Sequence, residues 1–159
     1  VFRQAQEVGR ILQAAGVAYI LNDRADVALM AGADGVHVGQ EDLPPESVRG
    51  VVGSRLLVGY STHTPQQMRA AEREPVDYVA FGPVFATGSK EKADPVVGLA
   101  GLREARRLTQ KPLVAIGGIT RENVAAVLEA GADAVAVISG LLGADWDGRL
   151  REWLQLTGR

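Results

Sequence analysis

The sequence contains no cysteine among its 159 residues, which excludes disulfide bonds, thiolate nucleophiles and cysteine-ligated metal sites. It also has no apolar run near the roughly 18 residues that a membrane-spanning helix requires. Neither sign of charge dominates, because the formal net charge is −2 at pH 7. This balance argues against a nucleic-acid partner or an acidic membrane surface. No signal-peptide pattern is evident at the start, so a cytoplasmic location is expected.

What the chain does have is a hydrophobic fraction of 47%, enough for one folded domain with its own core. Short apolar runs alternate with segments of helical periodicity. The runs predict six strands, at Val17–Leu21, Gly35–Gln40, Leu56–Tyr60, Tyr78–Phe81, Leu113–Ile119 and Ala134–Gly140. Regular alternation of strand and helix indicates an α/β fold with a parallel sheet.

Helices are expected between these strands and at both ends of the chain. They are Val1–Ala15, Ala25–Ala31, Pro44–Val52, a helix from Thr64, Leu99–Leu108, Thr120–Ala130 and Trp146–Leu156, the last packed by its two tryptophans. Thr64, with Gln67 three residues later, has the form of a helix N-cap. An internal repeat supports the assignment, because Ala31–Asp34 and Ala130–Asp133 both read Ala-Gly-Ala-Asp and each precedes a strand.

The predicted sheet is too small for a closed barrel of this type, because a (β/α)8 barrel has eight strands and the pattern supplies six. The chain also begins with a helix that has no strand of its own before it. Two interpretations remain open, a barrel that lacks its first two strands and an open α/β sheet. An incomplete barrel would expose two strand edges.

Polar residues are concentrated directly after the predicted strands. In parallel α/β proteins such positions converge at one end of the sheet, where binding and catalysis usually occur. The positions are Asn22–Arg24, Gln40–Asp42, Ser61–His63 and Thr87–Lys90, with Gly117–Gly118 and Ile138–Ser139 after the last two strands. The pattern therefore predicts a functional site at the carboxyl ends of the strands.

Asp23 and Asp42 follow neighbouring predicted strands, so their carboxylates are expected to meet. Mg²⁺ suits such a pair, because one or two carboxylates commonly hold it together with substrate phosphates and water. The alternative is that each aspartate only caps the helix that follows it. Lys90 suits a phosphate as a point charge, and its alternative is a solvated loop lysine.

Gly117 and Gly118 end one apolar run, and the run before Gly140 also ends in small residues. Two adjacent strand ends of this kind resemble the phosphate-binding cup that many (β/α) barrels build from their last strands. The alternative is a tight turn without a ligand. His37 is expected to be structural, because it alternates within an apolar strand, and His63 has no evident partner. Phosphate handling is favoured over acyl transfer, since no nucleophile–base pair is evident.

Several of these segments, in this order, resemble thiamine phosphate synthase. They are Asn22–Arg24, Gly35–Asp42, Gly59–His63, Phe81–Lys90, Ala115–Ile119 and Val137–Ser139, and the similarity extends from Gly16 to Leu142. The resemblance implies a TIM (β/α)8 barrel that lacks its first two strands in this chain, forming a single N-terminally incomplete domain over residues 1–159. It implies a transferase that couples hydroxymethylpyrimidine diphosphate with thiazole phosphate, giving thiamine phosphate and pyrophosphate in thiamine biosynthesis.

The resemblance also implies a role for each matching residue. Asp23 and Asp42 would hold Mg²⁺ on the leaving pyrophosphate. Ser61 and Lys90 would be the catalytic residues. The residues that would bind the substrates are Asn22, Ser61 and Lys90 for the pyrimidine diphosphate, Thr87 and Ser89 for the thiazole phosphate side, and Gly118, Ile138 and Ser139 for its phosphate, largely through backbone N–H groups.

Two features depart from the family pattern. The basic segment after the family's second strand is absent, and the family's Thr-x-Thr-Lys is here Thr87–Lys90, with serine in place of the second threonine. Two alternatives remain, the related thiazole tautomerase, where a histidine at the position of His63 transfers a proton, and a non-catalytic phosphate-binding remnant. Gln40, Asp42 and Lys90 favour the synthase. The expected partners are small-molecule substrates, with no nucleic acid and no membrane, and a homo-oligomer remains open.

Overall fold

The computed structural model describes residues 1–88, 94–142 and 145–158. Within them the chain forms seven helices, which are α1 (Phe2–Ala14), α2 (Ala25–Ala31), α3 (Pro45–Val52), α4 (Pro65–Ala71), α5 (Gly98–Leu108), α6 (Val124–Glu129) and α7 (Trp146–Leu156). The strands are β1 (Ile20–Asn22), β2 (Gly35–Val38), β3 (Leu57–Thr62), β4 (Tyr78–Phe81), β5 (Leu113–Ile116) and β6 (Ala134–Ala136). None of these helices is long and apolar enough to cross a membrane.

The six strands form one sheet in which they are neighbours in chain order, from β1 to β6. β2 pairs in parallel with both β1 and β3, and β5 pairs in parallel with β6. The strands are short apolar runs in which valine recurs, and Val36, Val38 and Val58 are fully buried. The structure confirms the α/β fold with parallel strands that the alternation of strand and helix predicts.

The chain divides into two compact units. The first unit contains Val1–Ser61 and Arg73–Val79, and the second unit contains Thr62–Glu72 and Ala80–Arg159. Each has its own buried side chains, which are at most 1% exposed: Ala28, Val36, Val38, Val48 and Val58 in the first, and Met68, Phe81, Leu102, Leu113 and Val124 in the second.

Local signals in the sequence set several helix ends. Thr64 caps α4 as predicted, and its hydroxyl accepts the N–H of Gln67 at 3.2 Å. Gly32 follows α2 in a left-handed conformation with φ +70°, which glycine adopts without steric cost. Pro45 lies in the first turn of α3, where its missing N–H costs no helical hydrogen bond. The bounds of α2, β4 and α7 agree with the prediction.

The segment after β5 differs from the prediction. β5 ends at Ile116, three residues earlier than expected, because Gly117 and Gly118 have φ of +95° and +62° and leave the extended region. A turn follows, so α6 begins at Val124 and not at Thr120. The continuous apolar run therefore overestimated the strand, since apolar character alone does not report the backbone reversal at the glycines.

The last part of the chain also differs from the prediction. β6 ends at Ala136, whereas the apolar run continues to Gly140. In α7 only one of the two tryptophans packs inward. Trp153 is buried and its Nε1 donates to the carbonyl of Gly140 at 3.4 Å, but Trp146 is 62% exposed. Helical spacing predicts which residues share a face of α7. It does not show which of those faces packs against the rest of the protein.

Candidate functional site

In the first unit, several side chains of the predicted site lie at the carboxyl ends of β1, β2 and β3. The register pairs Asn22 with His37 and His37 with Gly59, so β1 and β2 end within one residue of each other and β3 continues two residues beyond the partner of Val38. Asp23 follows β1 directly, and Ser61 lies two residues beyond Gly59 on β3. The parallel register thus places Asn22, Asp23 and Ser61 along one edge of this part of the sheet.

The carboxylates of Asp23 and Asp42 come together, as the sequence predicts. Partial burial, the charge of Asp42 and a side-chain hydrogen bond with Asp42 all raise the pKa of Asp23. Two carboxylates in contact repel each other unless they share a proton or a cation. Neither aspartate caps a helix, because the N-cap residues are Arg24 for α2 and Pro44 for α3, neither with a side-chain cap bond. The capping alternative is therefore wrong for both.

The backbone directs each of these carboxylates. Asp23 has a φ of +67°, a left-handed conformation that residues other than glycine seldom adopt. Its N–H donates to the carbonyl of His37 at 2.8 Å, which ties the residue to β2. One carboxylate oxygen of Asp42 accepts the N–H of Gly39 at 2.7 Å and closes the turn after β2. The turn after β2 and the strained residue after β1 together bring the two side chains into contact.

The chemistry of this donor set fits Mg²⁺. The two aspartates supply hard oxygen ligands, and within residues 1–88, 94–142 and 145–158 neither forms an ion pair with Lys or Arg. The same described residues contain no group of three or more His, Asp or Glu side chains that could hold a metal ion. Two carboxylates alone suit a Mg²⁺ ion that takes its remaining ligands from substrate phosphates and water, as Mg²⁺ commonly does.

His37 links Ser61 to Tyr78, a connection that the sequence did not reveal. Its Nε2 lies 2.8 Å from the Ser61 hydroxyl oxygen, and its Nδ1 lies 3.0 Å from the Tyr78 hydroxyl. The His37 and Tyr78 rings stack with their centroids 5.4 Å apart. Burial lowers the pKa of His37 and raises the pKa of Tyr78 to about 12. The two hydroxyls and the stacked ring hold His37 within the fold, and one of its partners, Ser61, belongs to the predicted site.

Two further residues hold this arrangement. The side-chain amide of Gln40 donates to the backbone carbonyl of Ser61 at 2.6 Å and so holds the main chain of that residue. A Cβ on Gly59 would lie 2.1 Å from Cζ of Tyr78 and 2.4 Å from Nδ1 of His37. A glycine inside a strand often marks such a close approach, so Gly59 was the signal in the sequence that two rings meet there.

In the second unit, β5 and β6 end side by side. The register pairs Ile116 with Ala136, so Gly118 and Ile138 each lie two residues beyond the last pair. Ile138 is 57% exposed and Ser139 is also exposed, which leaves both accessible to a ligand. The structure therefore brings Gly118, Ile138 and Ser139 to neighbouring strand ends, as the sequence predicts.

Close packing of the backbone explains the two glycines after β5. A Cβ on Gly117 would lie 2.5 Å from Cβ of Pro83, and one on Gly118 would lie 2.5 Å from the carbonyl oxygen of Ala86. The carbonyl of Gly118 accepts from the side-chain amide of Asn123 at 3.1 Å. No acceptor among the described residues takes the N–H of Gly118. The glycines are thus required by the turn, and the turn leaves a donor for a ligand.

The remaining predicted residues of the second unit are only partly described. Thr87 is half-buried. Ser89 and Lys90 lie outside the residues that the structure describes. The Nδ1–H of His63 donates to the Gly82 carbonyl at 2.7 Å, and Nδ1 lies 3.6 Å from a carboxylate oxygen of Asp94. The expectation that His63 lacks a partner is therefore wrong, because its partners come from segments that follow β4.

The chain is similar to proteins of one biosynthetic function. A family model described as thiamine monophosphate synthase matches residues 1–141. The thiamine-phosphate synthase of Koribacter versatilis is 56% identical over 98% of this chain and 73% of its own length. That of Methanocella arvoryzae is 49% identical over 89% of this chain and 67% of its own length. The chain thus spans about seven tenths of the length of these two relatives.

Solved structures show the same similarity. Thiamine phosphate pyrophosphorylase from Pyrococcus furiosus matches with a TM-score of 0.88 and 32% identity, covering 99% of this chain and 78% of that chain. A 3-hexulose-6-phosphate synthase matches with a TM-score of 0.71 at 18% identity, covering 96% of this chain and 80% of that chain. The second match shows a likeness of fold alone.

Proposed function

The chain belongs to the thiamine monophosphate synthase family, and from this premise we propose how its residues carry out the reaction of a thiamine-phosphate synthase, a transferase of thiamine biosynthesis. The proposed substrates are hydroxymethylpyrimidine diphosphate and thiazole phosphate, and the products are thiamine phosphate and pyrophosphate. One structural observation carries the assignment of roles. Asp23 and Asp42 meet at the carboxyl ends of neighbouring strands, and neither caps a helix.

In this proposal Asp23 and Asp42 hold Mg²⁺. When bound, Mg²⁺ would neutralise negative charge on the leaving pyrophosphate. The contact between the carboxylates supports the assignment, because burial and, after it, repulsion by Asp42 raise the pKa of Asp23, and a cation would relieve that repulsion. Asn22 precedes Asp23 at the exposed end of β1, and we assign its amide to the pyrimidine diphosphate.

Ser61 and Lys90 bind the diphosphate and stabilise its charge as it leaves. The Ser61 hydroxyl is fixed by His37 and its carbonyl by Gln40, so the side chain is oriented before substrate binds. Lys90 lies outside the described residues, and its role rests on the motif Thr87–Lys90. The aminopyrimidine can stabilise the cation that forms as pyrophosphate departs. Positioning and charge neutralisation therefore suffice, and no general base is required.

We assign the thiazole phosphate to residues of the second unit. The phosphate would be bound by Gly118, Ile138 and Ser139, largely through N–H groups, and the N–H of Gly118 without an acceptor among the described residues supports this assignment. Thr87 and Ser89 would lie on the same substrate's side. The positive φ values after β5 turn the backbone away from the sheet, so the N–H groups there do not form hydrogen bonds between strands.

The proposal extends to the whole fold, the location and the assembly of the protein. We infer an eight-stranded barrel whose first two strands lie outside this chain, a single domain over residues 1–159, a cytoplasmic location and the possibility of a homo-oligomer. The matches support the barrel only as a likeness of fold to TIM-like structures.

Pyrophosphate release tests the proposed function. We expect release from this chain only when the pyrimidine diphosphate, the thiazole phosphate and Mg²⁺ are all present. Substitution of Asp23 or Asp42 by asparagine should reduce this release. Asp26→Asn is the matched control, because Asp26 is an exposed aspartate that pairs with Arg24 and not with Asp42. Conversion of a thiazole substrate without metal, abolished by His63→Ala, would instead identify the tautomerase. Absence of both reactions would favour a phosphate-binding remnant.

A further inference from the structure

The Ser61 hydroxyl has one partner among the described residues, and that partner can bind it in two ways. A neutral imidazole carries a single hydrogen, so Nε2 of His37 either donates to the Ser61 oxygen or accepts the Ser61 hydrogen. In the first case the Ser61 hydrogen is left for a ligand. In the second case it is already used. The tautomer of His37 therefore decides whether Ser61 can donate to substrate.

The Tyr78 hydroxyl selects between these two cases. Its pKa is about 12 and it lies 3.0 Å from Nδ1 of His37, so it is a protonated donor at neutral pH. No other described residue accepts a hydrogen bond from this hydroxyl. In either tautomer one of the two half-buried hydroxyls keeps a hydrogen that no described residue accepts, which is costly for a group removed from water. Burial raises the pKa of Tyr78, whereas Ser61 lies at the strand ends where the substrate is proposed to bind. The arrangement in which Nδ1 accepts from Tyr78 and Nε2 carries the hydrogen is therefore favoured, because the remaining hydrogen is then that of Ser61.

We propose that Tyr78 is a positioning residue for the reaction: its hydroxyl holds His37 in the Nε2–H tautomer, His37 donates to Ser61, and Ser61 is left with its own hydrogen directed at the pyrimidine diphosphate. The inference rests on the proposed function of Ser61. Each of the three hydrogens in the chain Tyr78–His37–Ser61 has one defined direction. The order of donors ends at the substrate, where added negative charge on the leaving diphosphate strengthens the last bond.

The missing side chain of Gly59 makes room for this relay. Gly59 lies on β3 between the two rings, and any side chain there would overlap both Tyr78 and His37. His37 and Gly59 are register partners on β2 and β3, so the close approach follows directly from the strand pairing. Gln40 holds the Ser61 backbone independently of the relay, which means that loss of Tyr78 would alter the hydroxyl direction more than the position of Ser61.

The tautomer of His37 can be measured without any activity. The chain has only two histidines. The relay assigns Nε2–H to His37, whereas the carbonyl that faces Nδ1 of His63 requires Nδ1–H there. Long-range ¹H–¹⁵N correlation spectra of the neutral imidazoles are expected to show one of each. In Tyr78→Phe the His37 signals should shift toward a mixture, while those of His63 stay unchanged. Nδ1–H at His37 in the unaltered chain would overturn the relay.

Steady-state kinetics of single and double variants test whether Tyr78 acts through Ser61. Tyr78→Phe is expected to raise the KM for the pyrimidine diphosphate by about 3- to 10-fold, the effect of one hydrogen bond, and to leave the KM for the thiazole phosphate unchanged. Tyr19→Phe is the matched control, because no hydrogen bond of the Tyr19 hydroxyl to a described residue is present. In a Ser61→Ala background, Tyr78→Phe should cause no further loss.

The outcomes separate this inference from the proposed function. Additive effects of Tyr78→Phe and Ser61→Ala would mean that Tyr78 only stabilises the fold, and they would overturn the positioning role. An expected His37 tautomer in a chain that releases no pyrophosphate would contradict the proposed function and leave the relay intact as a structural device. Unchanged KM values in an active Tyr78→Phe variant would show that the Ser61 hydrogen does not serve the diphosphate.

Discussion

The aspartates at the two ends of the parallel strands differ in what their carboxylates bind. At the amino ends in the first unit, Asp34 accepts the N–H of Tyr19 at 2.7 Å, and Asp77 accepts the N–H of Val58 at 2.7 Å. Arg49 adds an ion pair to Asp77 at 2.6 Å. At the carboxyl ends, Asp23 and Asp42 instead face each other without a cation from the described residues.

The second unit shows the same division between strand ends. Asp133, directly before β6, accepts the N–H of Leu113 at 2.8 Å and pairs with Arg106 at 2.8 Å. At the carboxyl end of β5, Gly118 presents an N–H that no described residue accepts. The aspartates at the amino ends are satisfied by N–H groups and cations of the fold, whereas the Asp23–Asp42 pair and the Gly118 N–H at the carboxyl ends have no counter-charge or acceptor among the described residues. The residue type alone does not separate the two roles, since all five aspartates follow or precede a strand.

Asp23→Gly should show most clearly that the aspartates at the carboxyl ends of the strands serve function and not stability. We expect the turnover number to fall by about 10²- to 10³-fold, because the leaving pyrophosphate loses part of its metal site. The same change should raise the free energy of unfolding by up to about 1 kcal/mol, since glycine adopts the φ of +67° without strain. Steady-state kinetics and urea denaturation of one preparation measure both effects.

The matched control for this prediction is Asp26→Asn, three residues away on the exposed side of α2. It should leave turnover unchanged. A loss of stability in Asp23→Gly together with full activity would reverse the assignment, because Asp23 would then act like the aspartates at the amino ends of the strands.

Gly118→Ala extends the comparison to the second unit. The new Cβ would lie 2.5 Å from the Ala86 carbonyl oxygen at a φ of +62°, so we expect a loss of about 1–3 kcal/mol of stability. The displaced N–H should also raise the KM for thiazole phosphate. Gly16→Ala is the control, since Gly16 has a similar φ of +67° and no atom lies within 4 Å of a Cβ there. Equal KM values for Gly118→Ala and Gly16→Ala would argue against a phosphate site at this turn.

Asp77→Asn should have a smaller effect than the two substitutions above, and one confined to stability. Asparagine keeps an acceptor for the N–H of Val58 but loses the charge that faces Arg49, so we expect a loss of about 1–2 kcal/mol, reduced by partial exposure of the pair. Asp34→Asn should cost less, because no described cation pairs with Asp34. Urea midpoints measure the difference, and turnover should stay unchanged in both. Similar losses in the two variants would show that the guanidinium contributes nothing.

Much of the fold could be predicted from local patterns. Periodicity and capping residues predicted α2, α7 and β4 with their observed bounds, because those ends are set by nearby glycine, turn and cap residues. The end of β5 could not be predicted in this way, since it depends on how closely Pro83 and Ala86 approach Gly117 and Gly118. That approach joins segments some thirty residues apart in the sequence, and no local signal reports it.

The site divides in the same way. Order along the chain was enough to predict that Asp23 and Asp42 meet, since each lies in the segment that follows one of two neighbouring strands. The His37–Tyr78 contact could not be predicted, because it needs the register of β2 against β3 and the ring position on β4. The trace left in the sequence is Gly59, whose missing side chain is explained only once both rings are placed.

Metal binding tests the central claim most directly, because it needs no turnover. Mn²⁺, a paramagnetic substitute for Mg²⁺, can be titrated by electron paramagnetic resonance in the presence of pyrophosphate, with the unaltered chain, Asp23→Asn, Asp42→Asn and Asp77→Asn compared. We expect each of the first two variants to weaken Mn²⁺ binding by at least about 10-fold, the loss of one charged ligand, and Asp77→Asn to bind as the unaltered chain does. Equal affinities in all four proteins would contradict the account, since the carboxylates at the two strand ends would then not differ in function.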